Sequence, residues 1–146
     1  MIRKAKVNDL KQLSQLFDQY RIFYEKEPDV EGAELFLHER MHNNESVIFV
    51  AESKDKLLTG FVQLYPIFSS TRMKKLWLLN DLFVLPNYRG KGISIQLIDI
   101  AKKLAKNTDA VGLILETAKS NRVGNNLYLK TEFAVDDDHN YYSWNV

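Results

Sequence analysis

The chain has no cysteine, which excludes disulfides, thiolate metal sites and a cysteine nucleophile. It also has almost no excess charge, since 20 basic residues stand against 19 acidic ones, and this balance gives no electrostatic reason to expect a nucleic-acid partner. No apolar run approaches the roughly 18 residues of a membrane span. No signal-peptide core follows the basic start M-I-R-K-A-K, so we expect a cytoplasmic protein without a membrane partner.

What the chain does have is material for a core. Its 146 residues are 45% apolar, which argues against disorder and suits one domain over residues 1–146. Periodicity predicts strand, two helices, three strands, helix, strand, helix and two strands, a mixed α/β sheet with helices on both faces. Pro66 is expected to end the second of the three central strands. The predicted closing strands are Ala134–Val135 and Tyr141–Val146.

The most informative stretch is a strand, a glycine turn and a helix. Leu82–Leu85 is an apolar run typical of a buried strand, and helical spacing begins near Ile93. A helix start leaves amide groups without partners and favours phosphate. The residues of the turn suit this role, since two are glycines and two are basic: Arg89, Gly90, Lys91, Gly92, Ile93 and Ser94.

Other phosphate loops fit this turn less well. The P-loop string is absent, and the dinucleotide fingerprint G-x-G-x-x-G needs glycine where Ile95 stands. A pyrophosphate cradle at Arg89–Ser94 is therefore the functional interpretation. An ordinary strand-to-helix turn is the alternative for the glycines alone.

The longer string V-L-P-N-Y-R-G-K-G-I-S resembles the acetyl-CoA loop of the GNAT superfamily of N-acetyltransferases. The family pattern is Gln/Arg-x-x-Gly-x-Gly/Ala. Arg89 and Gly92 match it, and Ser94 stands where Gly or Ala is usual. The resemblance extends over nearly the whole chain. It implies a six- to seven-stranded GNAT fold in which the fourth and fifth strands splay apart and hold acetyl-CoA.

The resemblance also implies roles in acetyl transfer by direct attack of an amine. A strand bulge near Phe83–Val84 is expected to supply a backbone donor to the thioester carbonyl. Tyr128 falls on the position of the family's general acid, and Asn121 on a cofactor-contacting Asn. The alternatives are a core aromatic for Tyr128 and a helix cap for Asn121.

The acceptor side is expected around Asp81, which is a candidate to take the amine proton through water or to hold a cationic substrate. The string L-N-D-L-F-V resembles the polyamine and thialysine branch of the family, although Asn80 replaces that branch's acidic residue. Asp81 as a structural polar residue is the alternative. Tyr24, Glu25 and Tyr65 are candidates for the acceptor wall, and a solvated charged loop is the alternative for Glu25.

One competing motif is His38-Glu39-Arg40-Met41-His42, which spells H-E-x-x-H. No third ligand is evident downstream, so we expect no metal. The favoured function is N-acetylation of a small-molecule primary amine with acetyl-CoA as cosubstrate. The alternatives are a protein N-terminal or lysine acetyltransferase and a CoA-binding module with little catalysis. On the resemblance, a homodimer is expected.

Overall fold

The structure is a computed structural model that describes residues 1–146. It contains five strands, four helices and two one-turn helices, Val7–Asp9 and Pro86–Tyr88. The strands are β1 Ile2–Lys4, β2 Val47–Glu52, β3 Leu58–Ser69, β4 Lys74–Val84 and β5 Leu113–Ile114. The helices are α1 Leu10–Phe23, α2 Val30–His42, α3 Ile93–Asn107 and α4 Arg122–Lys130.

The sheet has the strand order β1-β2-β3-β4-β5, antiparallel except for the parallel pair β4–β5. This is the mixed α/β sheet with helices on both faces that the sequence predicts. The strand count is lower than expected, because residues 134–146 contain no strand. Tyr141, Tyr142 and Trp144 are instead 78%, 91% and 85% exposed. The predicted strands Ala134–Val135 and Tyr141–Val146 are thus not formed, since no neighbouring strand supplies their hydrogen bonds.

Pro66 does not end β3, contrary to expectation. The amide of its cross-strand partner Trp77 donates to the Gly112 carbonyl at 3.1 Å, so Pro66 and Trp77 form a pair without mutual hydrogen bonds. The ring nitrogen of Pro66 therefore faces the β2 side of the sheet. There the pairing has already ended at Val47 and Leu64, and no ladder bond is lost.

Helices cover both faces of the sheet. On one face, α1 and α2 pack on Ile48, Phe61 and Phe83 through the side chains Leu13, Leu16, Phe17, Ala33 and Leu37. On the other face lies α3, whose Leu97, Ile98, Ala101 and Ala105 are buried. A Cβ on Gly60 would lie 3.4 Å from Leu97, which shows how closely α3 approaches β3.

The chain divides into two compact units, Met1–Glu116 and Thr117–Val146. The first holds the whole sheet with α1, α2 and α3, and the second holds α4 and the end of the chain. None of the helices is long and apolar enough to span a membrane.

Candidate active site

The site begins where β4 loses its partner on one side. The β4–β5 pair consists only of Trp77 with Leu113 and Leu78 with Ile114. From Leu79 to Val84, β4 is bonded to β3 alone, so its other edge carries backbone groups without a strand partner. We call residues 79–84 of this side the open edge of β4.

A bulge lies at the start of the open edge. Gln63 pairs with Asp81, but the next residue, Leu64, pairs with Leu79, so Asn80 is the extra residue of β4. The expected bulge at Phe83–Val84 is therefore wrong in position by three to four residues. It lies where β5 pairing stops, since an extra residue there disturbs only one ladder. The Tyr20 hydroxyl lies 3.4 Å from the Asn80 carbonyl and shares its one proton between that oxygen and the Asp81 carboxylate.

Strand alternation decides which amides face the open edge. The Leu85 amide donates to the Thr59 carbonyl of the β3 side at 2.9 Å, so Leu85 and Phe83 direct their N–H groups toward β3. The N–H groups of Leu82 and Val84 then point to the open edge. Of the two residues expected to supply a backbone donor, Val84 has the suitable direction.

The glycine turn leads from β4 into α3. Gly90 and Gly92 have φ of 73° and 77°, the left-handed region that glycine enters without strain. A Cβ on either residue would meet no protein atom within 4 Å. The positive φ, rather than a lack of space, is therefore the reason for glycine at these two positions. Gly92 caps α3 without a side chain. The first amides of α3 therefore have no side-chain acceptor, which suits an anion.

The two basic residues of the turn point back to neighbouring elements. Arg89 Nε donates to the Val84 carbonyl at 2.9 Å, and its guanidinium lies 5.5 Å from the Phe83 ring centre and 5.9 Å from that of Phe23. Lys91 Nζ donates to the Asn87 carbonyl at 3.2 Å. Arg89 thus retains its two terminal nitrogens for a phosphate, while Lys91 contributes charge from an exposed position.

Asp81 is buried behind the bulge, with 3% exposure. Its carboxylate accepts from Gln63 Nε2 at 2.7 Å and from Asn80 Nδ2 at 2.9 Å, and it is hydrogen-bonded to the Tyr20 side chain. Burial raises the pKa of this carboxyl above its ordinary value, while the hydrogen bonds act in the opposite direction. An acid with a raised pKa is a better proton acceptor once ionised.

The candidate acceptor residues differ in their relation to Asp81. Burial, and to a lesser extent the Asp81 charge, raise the pKa of the half-buried Tyr65 hydroxyl to about 12, so the two groups interact. Tyr24 packs edge-on against Tyr20 at 5.0 Å and reaches Asp81 only through that ring. Glu25 is exposed at a φ of 60°, two residues after the end of α1.

In the unit Thr117–Val146, Asn121 caps α4. Its Oδ1 accepts from the Gly124 amide at 3.1 Å and its Nδ2 donates to Thr117 Oγ1 at 2.9 Å. Tyr128 is half-buried, with its ring edge-on to Phe133 at 5.8 Å. Glu132, which follows α4, adopts a φ of 68°, a left-handed conformation that glycine enters with less strain.

The two histidines of the H-E-x-x-H string are exposed on α2. The rings of His38 and His42 stack at 5.9 Å, and they line a depression with the apolar residues Val7, Leu10 and Met41. No group of three or more histidine, aspartate or glutamate residues is placed to hold a metal ion.

Sequence reasoning missed Gln63 and Ser46. Gln63 is fully buried, and its Oε1 accepts from Ser46 Oγ at 2.8 Å. A signal was present, because a glutamine inside the apolar run F-V-Q-L must find hydrogen-bond partners if that run is a buried strand. The identity of its partner depends on the register of β3 and β4, which the sequence does not reveal.

Comparison with known proteins identifies the fold and the family. The model of the acetyltransferase (GNAT) family matches residues 10–133. The chain belongs to the GNAT acetyltransferase family. It is 43% identical over 145 residues to the uncharacterized N-acetyltransferase YhfO of Bacillus subtilis (strain 168), covering 99% of this chain and 97% of that one. It is therefore an acetyl-transferring enzyme.

Solved structures agree with this assignment. The crystal structure of a probable acetyltransferase superimposes with a TM-score of 0.95 at 34% identity, covering 100% of this chain and 97% of the other. A predicted acetyltransferase from Clostridium acetobutylicum, solved with acetyl-CoA, has a TM-score of 0.79 at 20% identity, covering 98% of this chain and 95% of the other. At that identity the likeness extends to the fold alone.

Proposed function

We propose that this GNAT enzyme transfers the acetyl group of acetyl-CoA to the primary amine of a small molecule by direct attack. The observation that carries the proposal is the juxtaposition at β4. The open edge offers the Val84 amide, the glycine turn and α3 follow it, and a buried carboxylate lies on the same strand. The Val84 amide and the glycine turn suit a thioester cosubstrate that carries phosphates. The carboxylate suits an amine that must lose a proton.

In the proposed reaction the amine nitrogen attacks the thioester carbonyl carbon, and the carbon–sulfur bond breaks. The Val84 amide stabilises the carbonyl oxygen while it carries negative charge. Arg89–Ser94 and Asn121 hold the pyrophosphate and pantetheine parts of the cosubstrate. The proton from the amine passes through water to Asp81, and the Tyr128 hydroxyl protonates the departing thiolate.

A small cationic acceptor is favoured over a protein by the character of the Asp81 surroundings. Asp81 is buried, and its charge acts on the half-buried hydroxyl of Tyr65 on the neighbouring strand β3. An ammonium group fits an anionic site of this kind, as in the polyamine-type branch whose motif the chain resembles. The Tyr20 ring next to Asp81, with the Tyr24 ring packed edge-on against it, suits an ammonium group through cation–π attraction.

The test is calorimetric titration with acetyl-CoA, followed by an acceptor panel in which free thiol release is measured. The panel contains polyamines, amino acids and short peptides with free N-termini or lysines. We expect binding with release for one small-amine class. Release with peptides alone would favour the protein-acetylating alternative, binding without release the CoA-binding module, and no binding would contradict the cradle.

A homodimer is part of the proposal. Its support is the aromatic end of the chain, where Tyr142 and Trp144 are each more than 80% exposed. Large exposed aromatic groups in a cluster are typical of interaction surfaces.

A further inference from the structure

A row of three polar side chains crosses three neighbouring strands of the sheet. Ser46 directly precedes β2, Gln63 lies in β3 and Asp81 lies in β4. Ser46 shares the face of Ile48, and Gln63 and Asp81 share the face of Phe61 and Phe83, so the row lies on the α1 and α2 side.

The row has a fixed hydrogen-bond direction. Ser46 Oγ donates to Gln63 Oε1 at 2.8 Å, and Gln63 Nε2 donates to Asp81 Oδ2 at 2.7 Å. An ionised carboxylate only accepts, so the amide nitrogen of Gln63 must face it and the amide oxygen must face Ser46. A turned amide would bring two oxygens together unless Asp81 were protonated.

We propose that Gln63 and Ser46 are a positioning pair that orients the Asp81 carboxylate and keeps it ionised and ready to accept a proton. The proposal rests on the proposed function, because it gives Asp81 a reason to need such support. Gln63 and Asp81 are direct cross-strand partners next to the bulge at Asn80. The bulge thereby determines which carboxylate oxygen meets Gln63 and which meets Asn80.

Burial makes the support necessary. Gln63 is 0% and Asp81 3% exposed, so water cannot replace a lost donor easily. Burial raises the pKa of the Asp81 carboxyl, and the hydrogen bond from Gln63 acts most strongly in the opposite direction. The groups that face Asp81 from the packed elements are Tyr20 of α1, Asn80 and Gln63, with Tyr65 nearby on β3. None of them carries a positive charge.

The experiment follows the Asp81 carboxyl directly by carbon NMR titration of the whole protein labelled at the aspartate carboxyl carbon, with the signal assigned by Asp81→Asn. We expect Gln63→Met, which preserves shape, to raise the Asp81 titration midpoint by about one pH unit. Ser46→Ala raises it by less, since the amide still reaches the carboxylate. Gln15→Met, an exposed position on α1, leaves it unchanged.

The double variant separates positioning from a general structural effect. In the Gln63→Met background, Ser46→Ala should add no further shift, because Ser46 acts through the Gln63 amide. An Asp81 titration midpoint that is unchanged in Gln63→Met overturns the proposal. The proposal is also overturned if the midpoint shift of the double variant equals the sum of the two single-variant shifts. Circular dichroism confirms that each variant is folded, and Gln63→Asn serves if Gln63→Met is not.

The pH dependence of kcat then separates the positioning role of Gln63 and Ser46 from the proposed catalytic role of Asp81. If the acid limb of kcat moves with the NMR midpoint, both hold. If the NMR midpoint moves while the limb does not, the positioning pair stands and the catalytic role of Asp81 fails.

Discussion

Arg89 is bound to the end of the strand that it follows: its Nε donates to the Val84 carbonyl at 2.9 Å while its guanidinium lies 5.5 Å from the centre of the Phe83 ring. One side chain therefore links the open edge of β4 to the glycine turn. This geometry leaves the terminal nitrogens to meet a phosphate, with the direction of the fork already determined.

Arg89→Glu should weaken acetyl-CoA binding at least about tenfold, because it removes the fork and adds repulsion at the phosphates. Calorimetry measures the change. The matched control is Lys103→Glu, which makes the same charge change at an exposed position on α3. Equal losses in the two variants would mean that only the overall charge matters and would contradict a specific cradle.

Tyr128→Phe should lower kcat about a hundredfold while acetyl-CoA affinity stays unchanged, because the change removes the proton donor to the thiolate and keeps the ring. The ring remains to pack against Phe133, so stability should change little. Tyr142→Phe, at an exposed position, is the control in the same thiol-release assay. Full turnover in Tyr128→Phe would leave this tyrosine as a packing residue only.

Tyr65→Phe should raise KM for the amine about threefold to tenfold, the effect of one lost hydrogen bond, and leave the pH profile unchanged. The pKa of Tyr65 is raised to about 12, mainly by burial, so the hydroxyl stays protonated at every pH of the assay. Initial rates between pH 6 and 10 check this. A basic limb that disappears in the variant would show that Tyr65 ionises in the reaction.

Arg3→Met should make the folded state less sensitive to acid. The hydrogen bonds from Arg3 lower the pKa of Asp9 and of Glu52. Their stabilisation is therefore complete above the unfolded-state values near ~4 and is lost as the pH falls through the folded-state values. Denaturation at pH 7 and pH 3 should show a smaller acid loss in the variant than in the wild type.

Arg72→Met, at an exposed turn position, is the control for the Arg3 variant and should behave as the wild type at both pH values. Parallel acid losses in wild type and Arg3→Met would mean that the cluster contributes nothing to acid stability.

The paired substitution Tyr142→Ser with Trp144→Ser should convert a dimer to a monomer in light scattering, because it removes the exposed aromatic end. Val7→Ser removes another exposed apolar side chain, 68% exposed, and should leave the dimer intact. A wild-type protein that is monomeric across concentrations would contradict the dimer.

Local sequence determined the elements whose apolar pattern is long. Leu13, Leu16 and Phe17 stand at the spacing of one helix face and are buried in α1, and the string from Arg89 to Ser94 predicted a turn into a helix that begins at Ile93. The sequence also offered Asn121 as a helix cap, and the structure has it at the start of α4. These features depend on residues close together in the chain, so their physical causes are visible in the string itself.

Only the tertiary structure decided the features that depend on strand register. Pro66 fits within β3 because β2 ends beside it, and the bulge lies at Asn80 because β5 pairing stops at Leu78. The same register brings Gln63 opposite Asp81, although 18 positions separate them in the chain. Hydrogen bonds between strands join residues that no local pattern connects. Asp81 was therefore a candidate from the sequence alone, whereas its hydrogen-bond partners became known only from the tertiary structure.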